Sequence, residues 1–553
     1  MTSAAGASAP FSRQRTLAIV ATLLLGVFLG TLDQTIVASS IRTIADDFHA
    51  YTLQAWVTTA YLITSTIVVP IYGKISDIFG RRPCYVFAIA LFVIGSFLCA
   101  FATSIYELSA FRALQGIGAG GMMSLAFTIL GDIIAPRERA KYQGYFIAVI
   151  TSSSVLGPLV GGLFANAHQI LGITGWRWVF LVNVPIGVVA LLVVLRVLVI
   201  NRAPRKRRID WPGGVALAVT LVPLLVVCEQ GQEWGWGSPG SLACYAVFVV
   251  GVVAYVLAGK AMGDDALIPL RVFGNRQFAL GLVIAFIVGA VTYGGTILLP
   301  QYFQLVHGAS PATGGLMLLP LVVGSMIGAV ASGQIIAHTG KYRVHSIIGA
   351  GLSAAGMFWL STTSAATNLV LLLAVTFAVG FGLGIFGQPM TVVMQNILPP
   401  QEMGVSTGGV TFFRQIGGTV GLAAILSLLF SGMAVNVAHE ASAAATQPAY
   451  QQALAQLSHN GDPSATGLVS ALQGNADAAR TAIEDASTVG SLPDVLAAPF
   501  RQAFADSMNE VFLVAAVLSL LGLIGFVCWK PVSLRGRSGI EEAAAQRKAG
   551  KPA

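Results

Sequence analysis

Residues 73–82 read Gly73-Lys-Ile-Ser-Asp77-Ile-Phe-Gly80-Arg81-Arg82, and residues 333–342 read Gly333-Gln-Ile-Ile-Ala337-His-Thr-Gly340-Lys-Tyr342. The stretches lie 260 residues apart and share glycine at their first and eighth positions. Each separates two long apolar runs. Working outward from the first copy, apolar runs occupy about 17–41, 55–73, 84–103, 108–131, 143–165 and 178–200. Around the second copy they occupy about 277–300, 313–336, 345–363, 369–396, 405–432 and 511–529. Each copy therefore joins the second and third runs of a set of six, and two further runs, 212–228 and 241–259, stand between the sets. A run of roughly 20 apolar residues is the length of a membrane-crossing helix. The repeat predicts an all-α polytopic membrane protein of fourteen spans, built as two parallel six-helix halves with two inserted central helices.

Composition agrees. The 553 residues are 55% hydrophobic and only 10% charged, against about 25% charged in soluble domains. A net charge of +8 would suggest nucleic-acid binding in a soluble protein. In a chain of spans the charge is read by location instead, because cytoplasmic loops collect Lys and Arg. All but six of the 31 Lys and Arg fall on one side of the expected bilayer; the six are Arg42, Arg177, Arg480 and Arg501 on the other side, and Arg112 and Arg414 inside spans. This places both termini in the cytoplasm and the protein in the cell's inner (cytoplasmic) membrane. The expected organisation is a cytoplasmic tail over 1–16, a first half over 17–200, a linker with two extra spans over 201–276, a second half over 277–530 carrying an outer loop over 434–507, and a cytoplasmic tail over 531–553. The Ala-rich stretches 450–458 and 476–488 of that loop are compatible with a helical cap or with an unstructured loop.

Asp33 is the one carboxylate well inside a span. A carboxylate in hydrocarbon is costly unless paired, hydrated or protonated, and a changing environment could load and unload a proton there. Counting from Arg42 and Glu107 at 1.5 Å per residue, Asp33 and Arg112 reach similar depths in the outer half of the membrane, so direct pairing, a water relay and separate partners are all open. The 260-residue offset puts Tyr293 opposite Asp33 and Leu372 opposite Arg112, which leaves the deep charges in the first half. The bland readings are static packing for Asp33 and carbonyl-bonded structure for Arg112. Arg414, in the thirteenth span, fits either a structural or a substrate-facing role. The run Gly116-Ile-Gly118-Ala-Gly120-Gly121 lies inside an apolar span and reads as close helix packing rather than a nucleotide loop. No GxxxxGK[ST] occurs, so proton motive force is the expected energy source, with no cofactor. The histidines and cysteines show no metal-ligand spacing, and nothing suggests an enzyme.

The chain resembles the major facilitator superfamily, and within it the fourteen-helix drug:proton antiporters. The motifs that carry the likeness are Gly73 to Arg82, Leu32-Asp33-Gln-Thr35-Ile-Val37, Arg112-Ala-Leu-Gln115-Gly116-Ile-Gly118, Gly157-Pro158-Leu-Val-Gly161-Gly162, Trp176-Arg177-Trp178-Val-Phe180 and Asn183-Val-Pro185-Ile-Gly187. Three departures stand out: Ser153 where the antiporter motif has glycine, Arg42 where proline is common, and Ala337 opposite Asp77 in the second loop copy. The resemblance implies proton or substrate coupling at Asp33, Arg112 and Gln115. It implies a gating loop of Gly73, Asp77, Gly80, Arg81 and Arg82 that latches the halves, an antiporter hinge at Gly157, Pro158, Gly161 and Gly162, and a second-half site around Tyr293 and Arg414. The expected function is proton-coupled export of lipophilic, monovalent cationic or neutral amphiphilic compounds by alternating access. The partners expected are a small lipophilic substrate, protons and the lipid bilayer, and no nucleic acid. Export or flipping of an endogenous lipid, siderophore or metabolite, and a non-transporting receptor or scaffold, are the alternatives.

Overall fold

The computed structural model describes residues 13–50, 53–198, 208–309, 311–364, 367–399, 402–459, 469–470, 492–532 and 534. Residues 1–12 of the N-terminal tail, Arg202, Arg205, Lys206 and Arg207 of the linker, Gly461-Asp462-Pro463 and 476–488 of the loop, Arg480, and the tail from 535 lie outside the described residues.

The first half is formed by α1 (Arg13–Asp47), α2 (Gln54–Phe79), α3 (Arg81–Ala100), α4 (Ile105–Ile133), α5 (Pro136–Asn166) and the pair α6 (Trp178–Leu181) and α7 (Asn183–Val197). A two-stranded hairpin, β1 (Gln169–Ile170) with β2 (Ile173–Thr174), precedes α6. The inserted helices are α8 (Trp211–Trp234) and α9 (Pro239–Met262). The second half comprises α10 (Arg276–His307), α11 (Pro311–Leu316), α12 (Leu319–Thr339), α13 (Arg343–Leu360), α14 (Leu369–Ile397), α15 (Met403–Ala444), α16 (Pro448–His459) and α17 (Asp494–Cys528).

Thirteen stretches among the described residues are long and apolar enough to cross a membrane. The expected span at 345–363 is the 18-residue helix α13, whose polar Arg343, Ser346 and Ser353 place it below the others in hydropathy. It nevertheless packs between α14 and α17. Most helices outrun their apolar segments: α15 runs twelve residues past the expected end at 432, and α17 begins seventeen before the expected start at 511. Hydropathy registers only the hydrocarbon-embedded part, whereas a helix keeps satisfying its backbone beyond it. Starts are set by side chains that accept orphan N–H groups: Ser104 before α4, Asp210 before α8, Asn275 before α10 and Asn368 before α14.

The repeat is visible in the packing. Adding 260 to α2 gives α12, and adding it to α5 gives α15; the halves meet along α2 against α15 and α5 against α12. One interface is thus used twice. Each half keeps its own apolar core, and α8 lies over the seam, its Leu217, Leu221 and Leu225 clustered with Ile63 and Ile67 of α2 and Phe412 of α15. Large apolar side chains such as Phe87, Leu163, Val250 and Val370 are exposed, as lipid-facing residues must be.

Candidate functional site

Asp33 and Arg112 are completely buried and directly paired, Arg112 Nη1 donating to Asp33 Oδ2 at 2.5 Å. Of the three arrangements that depth left open, the ion pair is the one adopted. Around it, Gln115 Nε2 donates to Asp33 Oδ1 (2.9 Å) and to Ser96 Oγ (2.8 Å), Arg112 Nη1 also donates to Gln115 Oε1 (2.7 Å), and Asn183 Nδ2 donates to Asp33 Oδ1 (2.7 Å). The cluster draws on α1, α3, α4 and α7, so it sits inside the first half. The Tyr61 ring covers the guanidinium at 4.0 Å, and its hydroxyl donates to the Gly30 carbonyl at 3.0 Å. Arg112 Nη2 and Asn183 Oδ1 are buried with no partner among the described residues. The cluster is therefore charge-balanced but not fully bonded. Arg112 is not the carbonyl-bonded structural arginine of the bland reading, although its Nε does reach Val57 O at 3.4 Å.

A cavity of about 360 Å³ lies between the halves. It is lined by α1, α2, α4 and α5 and by their 260-residue counterparts α10, α12, α14 and α15. Its wall is apolar with hydroxyls and amides, among them Gln34, Ser65, Thr411 and Gln415. Asp33 is not part of the wall: Thr31, Gln34 and Thr35 face the cavity while Asp33 points back into the first half. Tyr61 touches both sites. Tyr293 and Arg414 do line the cavity. Arg414 is held there by close crossing of α10 on α15, where a Cβ on Gly289 would strike the Arg414 carbonyl and one on Gly418 would lie 2.7 Å from the Tyr293 ring.

The loop motif occupies the end of the molecule that carries Lys74, Arg81, Arg82, Arg137, Arg139, Lys141 and Arg276. Its two conserved-spacing glycines do different jobs. Gly80, at φ +97°, ends α2 and lets α3 begin at once; Gly340, at φ +70°, ends α12, and α13 starts after Lys341 and Tyr342. Gly73 does not turn the chain: it lies within α2, where a Cβ would stand 2.5 Å from the Gly404 carbonyl of α15. Gly333 likewise admits the Ala140 carbonyl of α5. Arg81 donates to Asp77 Oδ1 (2.5 Å), Ser76 Oγ (2.5 Å) and Asp132 Oδ2 (2.8 Å), and Arg82 to the Leu195 carbonyl (2.6 Å). These bonds unite α2, α3, α4 and α7 of one half. Across the seam, Asp77 Oδ2 approaches the first turn of α15, lying 2.8 Å from where a Gly404 Cβ would sit. A carboxylate at a helix start is favoured by the dipole and the free N–H groups.

Other bonds between the halves share this end: Arg139 Nη1 to Gln395 Oε1 (2.6 Å), Gln388 Nε2 to the Ala140 carbonyl (2.5 Å), Gln395 Nε2 to the Phe127 carbonyl (3.1 Å), and Arg137 to the Ala337 (2.8 Å) and His338 carbonyls. Arg271 of the linker pairs with Glu402 at the start of α15. These contacts tie the halves together at the basic end.

On α5, the helix continues through Pro158. Gly157 and Gly161 admit α1: a Cβ on the first would strike Thr35 Oγ1, and one on the second would lie 2.7 Å from the Ile36 carbonyl. Gly162 has open space around it. Ser153, in place of the motif's glycine, accepts from Thr31 at 3.0 Å, and its carbonyl accepts from Thr35 at 2.9 Å. Gly116, Gly118 and Gly120 hold α4 against backbone atoms of α2 and α3, which is the packing role expected of them.

Sequence reasoning had given no role to Ser96, Tyr61, Arg139 or Gln395. Asn183 is a polar residue in an apolar run, a signal that could have placed it beside Asp33; a single serine such as Ser96 carries no such signal.

The family model for the Major Facilitator Superfamily matches residues 23–422. Multidrug resistance protein 3 of Bacillus subtilis is 31% identical over 507 residues, covering 92% of this chain and 93% of that protein. The multidrug transporter protein MdtP of the same organism is 29% identical over 540 residues, 97% of each chain. Among solved structures, the proton:xylose symporter XylE aligns with 97% of this chain and all of its own at a TM-score of 0.57 and 16% identity, a likeness of fold.

Proposed function

Because the chain belongs to the Major Facilitator Superfamily, we propose that it is a proton-coupled secondary active exporter of lipophilic small molecules that works by alternating access. The observation that carries the proposal is the arrangement of two adjoining sites: a buried Asp33–Arg112 pair inside one half, and a cavity between the halves, which are tied together at one end, with Tyr61 in contact with both. Export is supported by the relatives, which are named for multidrug resistance and multidrug transport.

The positive-inside rule assigns the basic end to the cytoplasm, so the halves are tied together on the inward side. In this reading, a proton reaching Asp33 cancels the attraction that holds Arg112. The guanidinium, left with a free Nη2 and bonds to neutral partners only, shifts, and Tyr61, stacked on it and bonded to Gly30, carries the shift to the cavity wall. The basic end opens when Asp77 releases the first turn of α15 and the paired crossings α2–α15 and α5–α12 rock apart. The equality of the two crossings under the repeat supports a rocking motion of halves.

The nature of the cargo follows the cavity rather than Asp33. A volume of about 360 Å³ lies within the range of small-molecule sites, and its largely apolar wall suits neutral amphiphiles. The expectation of monovalent cations assumed that Asp33 faces the cargo; Asp33 is 0% exposed and already neutralised by Arg112, so that argument no longer selects cations.

The test is a transport screen of the full chain in proteoliposomes, with lipophilic compounds of different charge, with and without an imposed pH gradient. Gradient-dependent movement of at least one compound, lost in Asp33→Asn, is expected. If no compound moves faster with the gradient than without it, the exporter reading is wrong.

A further inference from the structure

We propose that Arg414 makes the cavity a site for lipophilic anions, binding the single negative head group of an amphiphilic cargo whose apolar body lies along the cavity wall. The inference rests on the exporter reading above and adds the charge class of its cargo.

Arg414 lines the cavity, eleven residues into α15, or about 16 Å from its start at 1.5 Å per residue. It therefore stands near mid-membrane. Among the described residues no Asp or Glu lines the cavity, and Arg414 forms no ion pair. Two other buried arginines are balanced by carboxylates, Arg112 by Asp33 and Arg81 by Asp77 and Asp132, and Arg139, at the basic end, is bonded to Gln395 Oε1 and to the Gly131 and Ile134 carbonyls. The contrast between the two deep arginines is what points to a ligand. Arg112 is packed away with its carboxylate, whereas Arg414 is left facing an open volume with a cation's desolvation cost and no protein counter-charge.

Its surroundings are those of an anion site. Tyr293 and Thr411 on the same wall carry hydroxyls that can donate, and the amide of the neighbouring Gln415, which also lines the cavity, carries N–H donors. The backbone beneath Arg414 is fixed, because Gly289, Gly417 and Gly418 let α10 lie directly on α15 there. A planar guanidinium on a fixed backbone is suited to a carboxylate, sulfonate or phosphate oxygen pair. The apolar part of the cargo has Leu62, Met123, Ile150 and Val322 to lie against. A cationic amphiphile meets none of this: it brings a like charge to Arg414 and finds no carboxylate on the wall.

The experiment compares three probes of one shape and permanent charge state: 2-naphthalenesulfonate, 2-naphthalenesulfonamide and 2-naphthyltrimethylammonium. Binding to the full chain in nanodiscs is measured for wild type, Arg414→Gln and Arg414→Lys, and transport of the same probes in proteoliposomes under a pH gradient. The expected order for wild type is sulfonate at least tenfold tighter than the ammonium, with the sulfonamide between. Arg414→Gln should lose tenfold or more on the sulfonate while keeping sulfonamide binding, which also reports that it has folded; Arg414→Lys should keep most of the sulfonate affinity. Wild type binding the ammonium as well as the sulfonate would overturn the proposal without need of any variant, as would sulfonate binding unchanged in a well-folded Arg414→Gln. Binding in the expected order with no gradient-driven transport of any probe would uphold the anion site and sink the exporter reading, so the two fail separately.

Discussion

At the scale of single residues, the consequences of removing a charge depend on what it leaves behind. By size alone Asp33→Asn is a conservative change. The structure shows instead that it would strand a fully buried guanidinium, and breaking a buried pair by deleting one partner costs about 3–5 kcal/mol. Asp33→Asn should therefore lower thermal stability in detergent as well as abolish gradient-driven transport, while the double change Asp33→Asn with Arg112→Gln should recover much of the stability and none of the coupling. A single variant as stable as wild type would mean that Arg112 finds another partner when Asp33 is neutral. The glycines of α5 offer a second contrast. Gly157→Ala drives a methyl into Thr35, and overpacking of this kind costs about 1–3 kcal/mol, whereas Gly162 faces open space and its alanine variant should be close to wild type in melting temperature and transport. That Asp33 and Arg112 are buried at similar depths was legible in the sequence, because both stand in apolar runs, but their direct pairing was not, since a water relay or separate partners would satisfy the same depths. The side of α1 on which Asp33 lies was not: a helix of apolar, hydroxyl and glycine residues has no strong polar face, so the direction of the carboxylate, away from the cavity, is set by Ser96, Gln115 and Asn183 on three other helices.

At the scale of helices, the loop motif is a contact between α2 and α15 as much as a turn. Turns and close crossings use glycine for different reasons that look alike in a sequence, so the packing decides the role of Gly73; the 260-residue echo at Gly333, where α12 meets α5, is the same kind of crossing. A methyl on Gly73 would meet the Gly404 carbonyl at 2.5 Å and push the halves apart at the basic end, and Asp77→Asn would weaken the hold on the first turn of α15. Both changes should shift the population toward a state open at that end. The measurement is modification of a cysteine at Thr411, on the cavity wall, in a background lacking the five native cysteines, with a membrane-impermeant reagent added from the basic side. Labelling should rise several-fold in Gly73→Ala and less in Asp77→Asn; unchanged labelling in both would remove the crossing from the gate. Helix boundaries beyond the apolar cores, such as the extension of α15 to Ala444, were not legible because residues outside the hydrocarbon carry no hydropathy signal.

At the scale of the molecule, the two-half architecture with an inserted pair could be read from one ten-residue echo and the count of apolar runs, because each half must bury its own core and the same contacts recur between them. The position of charge inside the assembled cavity could not, since it arises only when eight helices meet. That position sets how transport should respond to voltage. Taking one proton inward per cycle, export of a neutral cargo moves one elementary charge, export of a monovalent cation none, and export of a monovalent anion two, each charge being worth about 2.3 kcal/mol per 100 mV of membrane potential. If Arg414 receives anions, the cell's interior-negative potential acts twice on each cycle. Holding the pH gradient constant while collapsing the potential with valinomycin and balanced potassium should therefore slow sulfonate export more than sulfonamide export and leave any ammonium flux unchanged. Equal slowing of sulfonate and sulfonamide would mean that the anion crosses with an extra compensating proton, placing the second proton site beside Arg414 rather than at Asp33.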